Sequence, residues 1–313
     1  MKTFIDLFAG IGGFRVALER KGLECVFSSE IHDKTRKVYE LNFKDKIVGD
    51  ITTIPSHDIP PHDVLCAGFP CQSFSVTGNK KGIKEKRGNL FNEIVRIAKH
   101  HNPSVLLLEN VPHLLHMNSG DDIKVIETKI NEIGYNLHYS ILNASQYGIP
   151  QARKRIYFVG LPQNSNLEYV PPTPTNKNIF LRDILDDNSV SEELLLKQKN
   201  LVIEKPEYPT PQNAPIKIGY IKNRMRPVSQ LIYHSNGHAV TLLTKKTSMP
   251  YYRINNTIRR LSLIECKKLM GFNKNHITSP EYWGYRQTGN AVIPQMIEYV
   301  YDSIQPKKRR TLF

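Results

Sequence analysis

A cysteine stands at position 71, directly after Gly68-Phe69-Pro70, where the apolar run that begins at residue 63 comes to an end. In a loop just past a buried strand, a thiol can act as a nucleophile; packed inward, it is a small apolar side chain. Pro70 restricts the backbone immediately before it. Glu109 closes a second apolar run, residues 104–110. A carboxyl at the end of such a run is partly desolvated, which favours its protonated form. A thiol and an acid on neighbouring strands are the parts needed to attack an electron-poor ring and protonate it. Arg153 and Arg155 lie in the run 151–155, QARKR. Alternate residues of an extended chain share a side, and two guanidiniums on one side suit a phosphate or a carbonyl oxygen. Such a pair also serves as a solvated device on an edge strand.

A second group of residues sits near the N-terminus. Gly10, Gly12 and Gly13 follow a short apolar run and open a helical stretch, which allows a tight turn and close approach of a ligand to the backbone. The spacing is not that of the dinucleotide fingerprint. Glu30 follows twenty residues after Gly10, the position from which an acid holds ribose hydroxyls in nucleotide-binding folds. Asp50 ends the run 47–51, which reads as a third strand. Ligand groups then lie at the carboxyl ends of successive strands, where open α/β sheets bind ligands.

Positioning these groups falls to alternating elements. Strands are expected at 4–9, 24–30, 47–51, 63–69, 104–110, 135–144 and 155–161. Helices are expected at 14–21, 34–43, 89–101 and 122–133. This alternation predicts an α/β fold, a doubly wound and mostly parallel sheet. The last two strands are joined without a helix, so one of them runs antiparallel. From 163 to 257 the chain is rich in Pro, Asn, Lys and Tyr, with weak periodicity, and reads as a smaller irregular basic domain. Helical patterns return at 262–272 and 292–304. The expected division is 1–162, 163–257 and 258–313, with a frayed basic end at 306–313.

Bulk properties narrow the partners. The 313 residues carry a formal net charge of +14, which favours a polyanion and makes nucleic acid the first partner to consider. The four cysteines, Cys25, Cys66, Cys71 and Cys266, form no C-x-x-C pair, which argues against zinc or a redox dithiol and for a reducing cytoplasm. No apolar stretch is long enough to span a bilayer.

Taken together, DLFAGIGGF, GFPCQSFS, ENV, QARKR, RRLSLIECKKLMGF and YRQTGNAVIP resemble, in content and order, the DNA (cytosine-5)-methyltransferases. The resemblance covers nearly the whole chain outside 162–256. It implies a class I, Rossmann-like methyltransferase fold, S-adenosyl-L-methionine as cofactor and a bacterial restriction-modification setting. The glycine loop would lie against the methionine part and Phe8 near the adenine. Glu30, with Ile31 beside it, would take the ribose hydroxyls, and Asp50 and Ile51 the adenine. Pro70 and Leu90 would complete the pocket, and Asn290 and Ala291 would close it. Ala291 stands where the family often has serine. Cys71 would add to C6 of a flipped-out cytosine, Glu109 would act at N3, and Arg155 with Arg153 would hold the O2 edge. The loop 72–79 would close over the base. The basic domain would read the target in double-stranded DNA. The implied enzyme is a cytoplasmic monomer that binds no membrane and shares its site with a cognate restriction endonuclease. A tRNA cytosine-5 methyltransferase with the same motifs is the alternative. A DNA-binding module without catalysis is opposed by Cys71 and Glu109, and a nicotinamide oxidoreductase by the glycine pattern.

Overall fold

The computed structural model describes residues 1–70, 90–175, 177–185, 191–197, 200–204, 209–222 and 227–307. The chain divides into two compact units. The first comprises Met1–Leu142, Arg155–Thr173 and Pro294–Phe313, and the second Asn143–Lys154 and Pro174–Ile293.

The first unit is built on a six-stranded sheet in the order β2-β1-β3-β4-β7-β5. Its strands are β1 (Thr3–Leu7), β2 (Glu24–Ser29), β3 (Val64–Gly68), β4 (Val105–Asn110), β5 (Tyr135–Asn143) and β7 (Lys154–Pro162). β2, β1, β3 and β4 run parallel, and β7 is antiparallel to β4, in line with the expectation from a connection without an α-helix. All six residues of β4 are buried, which is why its sequence is a continuous apolar run rather than an alternating one. The helices are α1 (Gly13–Arg20), α2 (Asp33–Phe43), α3 (Leu90–His101), α4 (Asp121–Glu132) and α7 (Pro294–Asp302). Helices α3 and α4 place Phe91, Ile94, Ile97, Ile126 and Ile130 against Ile5, Leu65, Leu106 and Leu108 in one core cluster. That spacing is the helical period meeting the strand period. The short strand β8 (Leu167–Tyr169) pairs antiparallel with β15 (Ile304–Pro306).

One expected strand is not formed. The run 47–51 makes a single parallel bridge, Val48 with Ser29, before Asp50 caps a 3-10 turn at Ile51–Thr53. Asp50 and Gly49 favour that turn over continued pairing.

The second unit has a five-stranded sheet in the order β14-β13-β11-β10-β9. Its strands are β9 (Leu201–Ile203), β10 (Ile216–Ile221), β11 (Leu231–His234), β13 (Tyr251–Ile254) and β14 (Thr257–Arg259). Ile216, Ile218, Ile221, Ile232 and Tyr251 form its small core. A separate pair joins β6 (Gln151–Ala152) to β12 (Ala239–Val240). Helices α5 (Leu263–Leu269) and α6 (Glu281–Asn290) complete it. A capping box opens α5: Glu265 N–H donates to Ser262 Oγ and Ser262 N–H to Glu265 Oε2.

The units do not break at 162 and 257 as the composition suggests. Residues 143–154 belong to the second unit, where β6 pairs with β12; the first unit resumes at Arg155–Thr173 and again at Pro294. Pro-rich composition marks where regular periodicity stops, whereas hydrogen-bond partners decide which unit a segment joins.

Candidate active site

At the carboxyl rim of the first unit's sheet, Gly68 ends β3 opposite Glu109 of β4, and Glu109 in turn lies opposite Tyr157 of β7. Residues two apart on a strand share a face, so Arg155 is the diagonal neighbour of Glu109 on that face. Its Nε stands 3.1 Å from Glu109 Oε1, and both side chains are largely buried. The guanidinium compensates the burial of the carboxylate.

Beyond Gly68 the chain is held by neighbouring groups. The Phe69 ring packs on Phe91 at 5.5 Å, and Asn110 Nδ2 donates to Phe69 O at 2.9 Å. Pro70, which is exposed, follows. Cys71 comes three positions after the residue that faces Glu109; it and the loop 72–79 lie outside the described residues. The three described cysteines are poor nucleophiles. Burial pushes the thiols of Cys66 and Cys266 well up, and burial pushes Cys25 up to about 11.

The glycine loop follows β1. Phe8, Gly10 and Gly12 all take left-handed backbone, with φ of 57°, 57° and 86°. Gly12 can only be glycine in this packing, because a Cβ there would fall 2.3 Å from the Phe43 ring. Glu30 Oε2 accepts from Gly10 N–H at 3.0 Å and Oε1 from His32 N–H at 2.9 Å. Those two bonds occupy about half of the lone-pair sites of a carboxylate. Ile31, next in sequence, is 60% exposed, an apolar side chain left uncovered beside the loop. Phe8 packs partly against the core cluster that contains Ile51 and Phe69.

Asp50 Oδ1 accepts from the N–H and the hydroxyl of Thr52, at 3.0 and 2.8 Å. Ile51 is buried in the main core, and Leu90 is the half-buried first residue of α3. The first unit thus contains Phe8, Gly10, Gly12, Glu30, Ile31, Asp50, Ile51, Pro70, Leu90, Glu109 and Arg155.

The second unit contains Arg153, Asn290 and Ala291. Arg153 and Arg155, expected together at the O2 edge, make different contacts. Arg153 is 3% exposed, and its guanidinium donates to Gly289 O at 3.1 Å and Ala291 O at 2.9 Å. Arg153 is the single residue between β6 and β7, whereas Arg155 lies within β7, so the alternation rule for a single strand does not apply to them. Gln151 was not singled out by its sequence, yet it is fully buried. Its Nε2 donates to Leu269 O, and its Oε1 accepts from Leu242 N–H. Asn110 was also missed; the signal for it was a second polar side chain, after Glu109, at the end of an apolar run.

The family described as C-5 cytosine-specific DNA methylase matches residues 2–306. The chain is 38% identical over 305 residues to the Type II methyltransferase M.HhaI of Haemophilus parahaemolyticus, covering 95% of this chain and 92% of that protein. It is 39% identical over 307 residues to the Type II methyltransferase M.MspI of a Moraxella species, covering 96% and 70%. Among solved structures, the S. pombe Dnmt2 methyltransferase has the same fold, with a TM-score of 0.74 at 18% identity over 96% of this chain and 97% of that one. A match that spans the glycine loop, the Glu109 rim and the returning C-terminal helices leaves one conclusion: this chain belongs to the C-5 cytosine-specific DNA methylases.

Proposed function

We propose that this protein transfers a methyl group from S-adenosyl-L-methionine to C5 of a cytosine flipped out of a specific site in double-stranded DNA. The observation that carries the proposal is the Glu109–Arg155 pair, set at the sheet rim across from the strand that leads to Cys71. The residues of the first unit fit the cofactor. A glycine turn gives access to backbone, Glu30 retains acceptor capacity for hydroxyls, and exposed Ile31 with half-buried Phe8 offers apolar cover for a purine. Asp50, Ile51, Pro70 and Leu90 belong to the same site in this reading, and Asn290 and Ala291 keep the cofactor role that the resemblance gives them. The bound cofactor supplies an electrophilic methyl on a sulfonium.

Cytosine C5 is a weak nucleophile. The Cys71 thiolate adds to C6 and pushes electron density through the ring toward C5, while Glu109 hydrogen-bonds or protonates N3 so that charge does not accumulate. Arg155 holds the O2 edge and keeps Glu109 oriented. After C5 has been methylated, loss of its proton and expulsion of the Cys71 sulfur restore the aromatic ring. C6 is shielded within a stacked duplex, so the base must leave the helix. In this reading the second unit recognises the DNA site, and the enzyme works as a monomer in a bacterial cytoplasm beside a cognate endonuclease.

A duplex library carrying 5-fluorocytosine tests the reading. With the cofactor present, the wild-type protein should form a denaturant-resistant adduct, since fluorine cannot leave as a proton does, and Cys71→Ala should form none. Wild-type protein that methylates tRNA but not duplex DNA would overturn the choice of substrate.

A further inference from the structure

Arg96 lies on α3 at the position facing the turn that follows Asp50. Its Nε and Nη2 both donate to Glu93 Oε2, at 2.8 and 2.6 Å, so the guanidinium is fixed on its own helix. Its remaining donors cross to the turn. Nη1 donates to Ser56 Oγ at 2.6 Å, and Nη2 to Ile54 O at 2.9 Å, with Ile51 O at 3.4 Å. His101, five residues further along the same helix, places Nε2 2.9 Å from Ser56 O. The segment 51–58 has no strand partner after Val48, and its internal hydrogen bonds are those of two isolated 3-10 turns. Such a segment is locally weak, and its position depends on what it is tied to.

We infer that Arg96 is the positioning residue of the adenine site: its guanidinium, braced by Glu93, fixes the turn that presents Asp50 and Ile51. The inference rests on the proposed assignment of Asp50 and Ile51 to the adenine. It also explains a juxtaposition in the fold. The helix that supplies Leu90 at its first residue also supplies, six residues later, the side chain that holds the turn after Asp50. An arginine suits this task because its planar fork serves several acceptors at once; a lysine serves one or two with less geometric control.

Calorimetric binding of S-adenosyl-L-methionine to the full-length protein, together with steady-state methyl transfer to DNA, tests this. Arg96→Ala should raise the cofactor Kd and KM roughly tenfold, with kcat at saturating cofactor held within about twofold. Arg96→Lys should fall between it and wild type. Amide exchange at 51–54 should quicken in Arg96→Ala and slow again when cofactor is added. If Arg96→Ala fails to fold, Arg96→Lys and Ser56→Ala carry the same comparison, each with a Kd raised by about threefold. A folded variant with unchanged Kd, or with kcat lost at unchanged Kd, overturns the inference. Wild-type protein that does not bind the cofactor overturns the cofactor reading and this inference with it; wild-type binding matched by the variants overturns the inference alone.

Discussion

Arg155 and Glu109 meet on adjacent antiparallel strands, with Arg155 two residues along from Tyr157, the residue opposite Glu109, and 3.1 Å between Nε and Oε1. The contact joins two demands. The carboxyl must sit in a dry rim to act on a ring nitrogen, and a dry carboxylate must have a cation.

Glu109→Gln should leave cofactor binding intact and lower kcat by roughly 10² to 10⁴, the range for loss of a general acid. Arg155→Ala should cost about 3 kcal/mol of stability, because it strands a buried carboxylate. The double variant should recover part of that loss. A double-mutant cycle by denaturant unfolding measures the coupling, and simple additivity would remove the pair from the stability argument.

Gly12→Ala tests the glycine loop. The backbone φ of 86° and a Cβ 2.3 Å from the Phe43 ring both oppose any side chain. The expected loss is about 2 kcal/mol, from overpacking and left-handed strain together. Adding Phe43→Ala should relieve the steric part and leave the backbone part, so thermal unfolding of the double variant should improve on Gly12→Ala relative to Phe43→Ala alone.

His62 predicts an acid-side instability. The ring is buried, with Nδ1 2.8 Å from Pro60 O and Nε2 enclosed without a partner. Burial lowers its pKa to about 4; the hydrogen bond to Pro60 O opposes the shift, His101 adds a smaller push downward, and Asp63 a still smaller one upward. The unfolded chain, with a histidine near 6.5, therefore binds more protons between pH 4 and 6.5, and stability rises with pH across that window. The full contribution is about 3 kcal/mol. Urea unfolding of His62→Asn from pH 4.5 to 7 should show a flatter profile than wild type; parallel profiles would assign the slope elsewhere.

In the second unit, Arg259 and Glu265 form two 2.7 Å bonds, with the side chains 4% and 1% exposed. Glu265 Oε2 also accepts the Ser262 N–H. Glu265→Gln should destabilise by about 3 kcal/mol, since the guanidinium stays buried without its counter-charge. Replacing both residues by Met should cost less than the single change, as read from the unfolding midpoint.

The sequence by itself determined the chemistry-bearing residues and the order of the main elements. Those signals are local. Apolar runs such as 104–110, helical spacing at Phe91, Ile94 and Ile97, and glycines after β1 each report a backbone state within a few residues. The motifs in their order were enough to point to the family. What only the tertiary structure decided are relationships across distance. Val48 finds one bridge and no ladder, so the run 47–51 ends as a turn although its composition suits a strand. Arg153 and Arg155 are two residues apart, yet one serves Gly289 and Ala291 and the other Glu109. Residues 163–257 read as irregular because their strands are short and their partners lie far along the chain, as in the pairing of β11 with β13. A side chain's task depends on which atoms surround it after folding, and neighbours contributed by remote segments leave no periodicity to read.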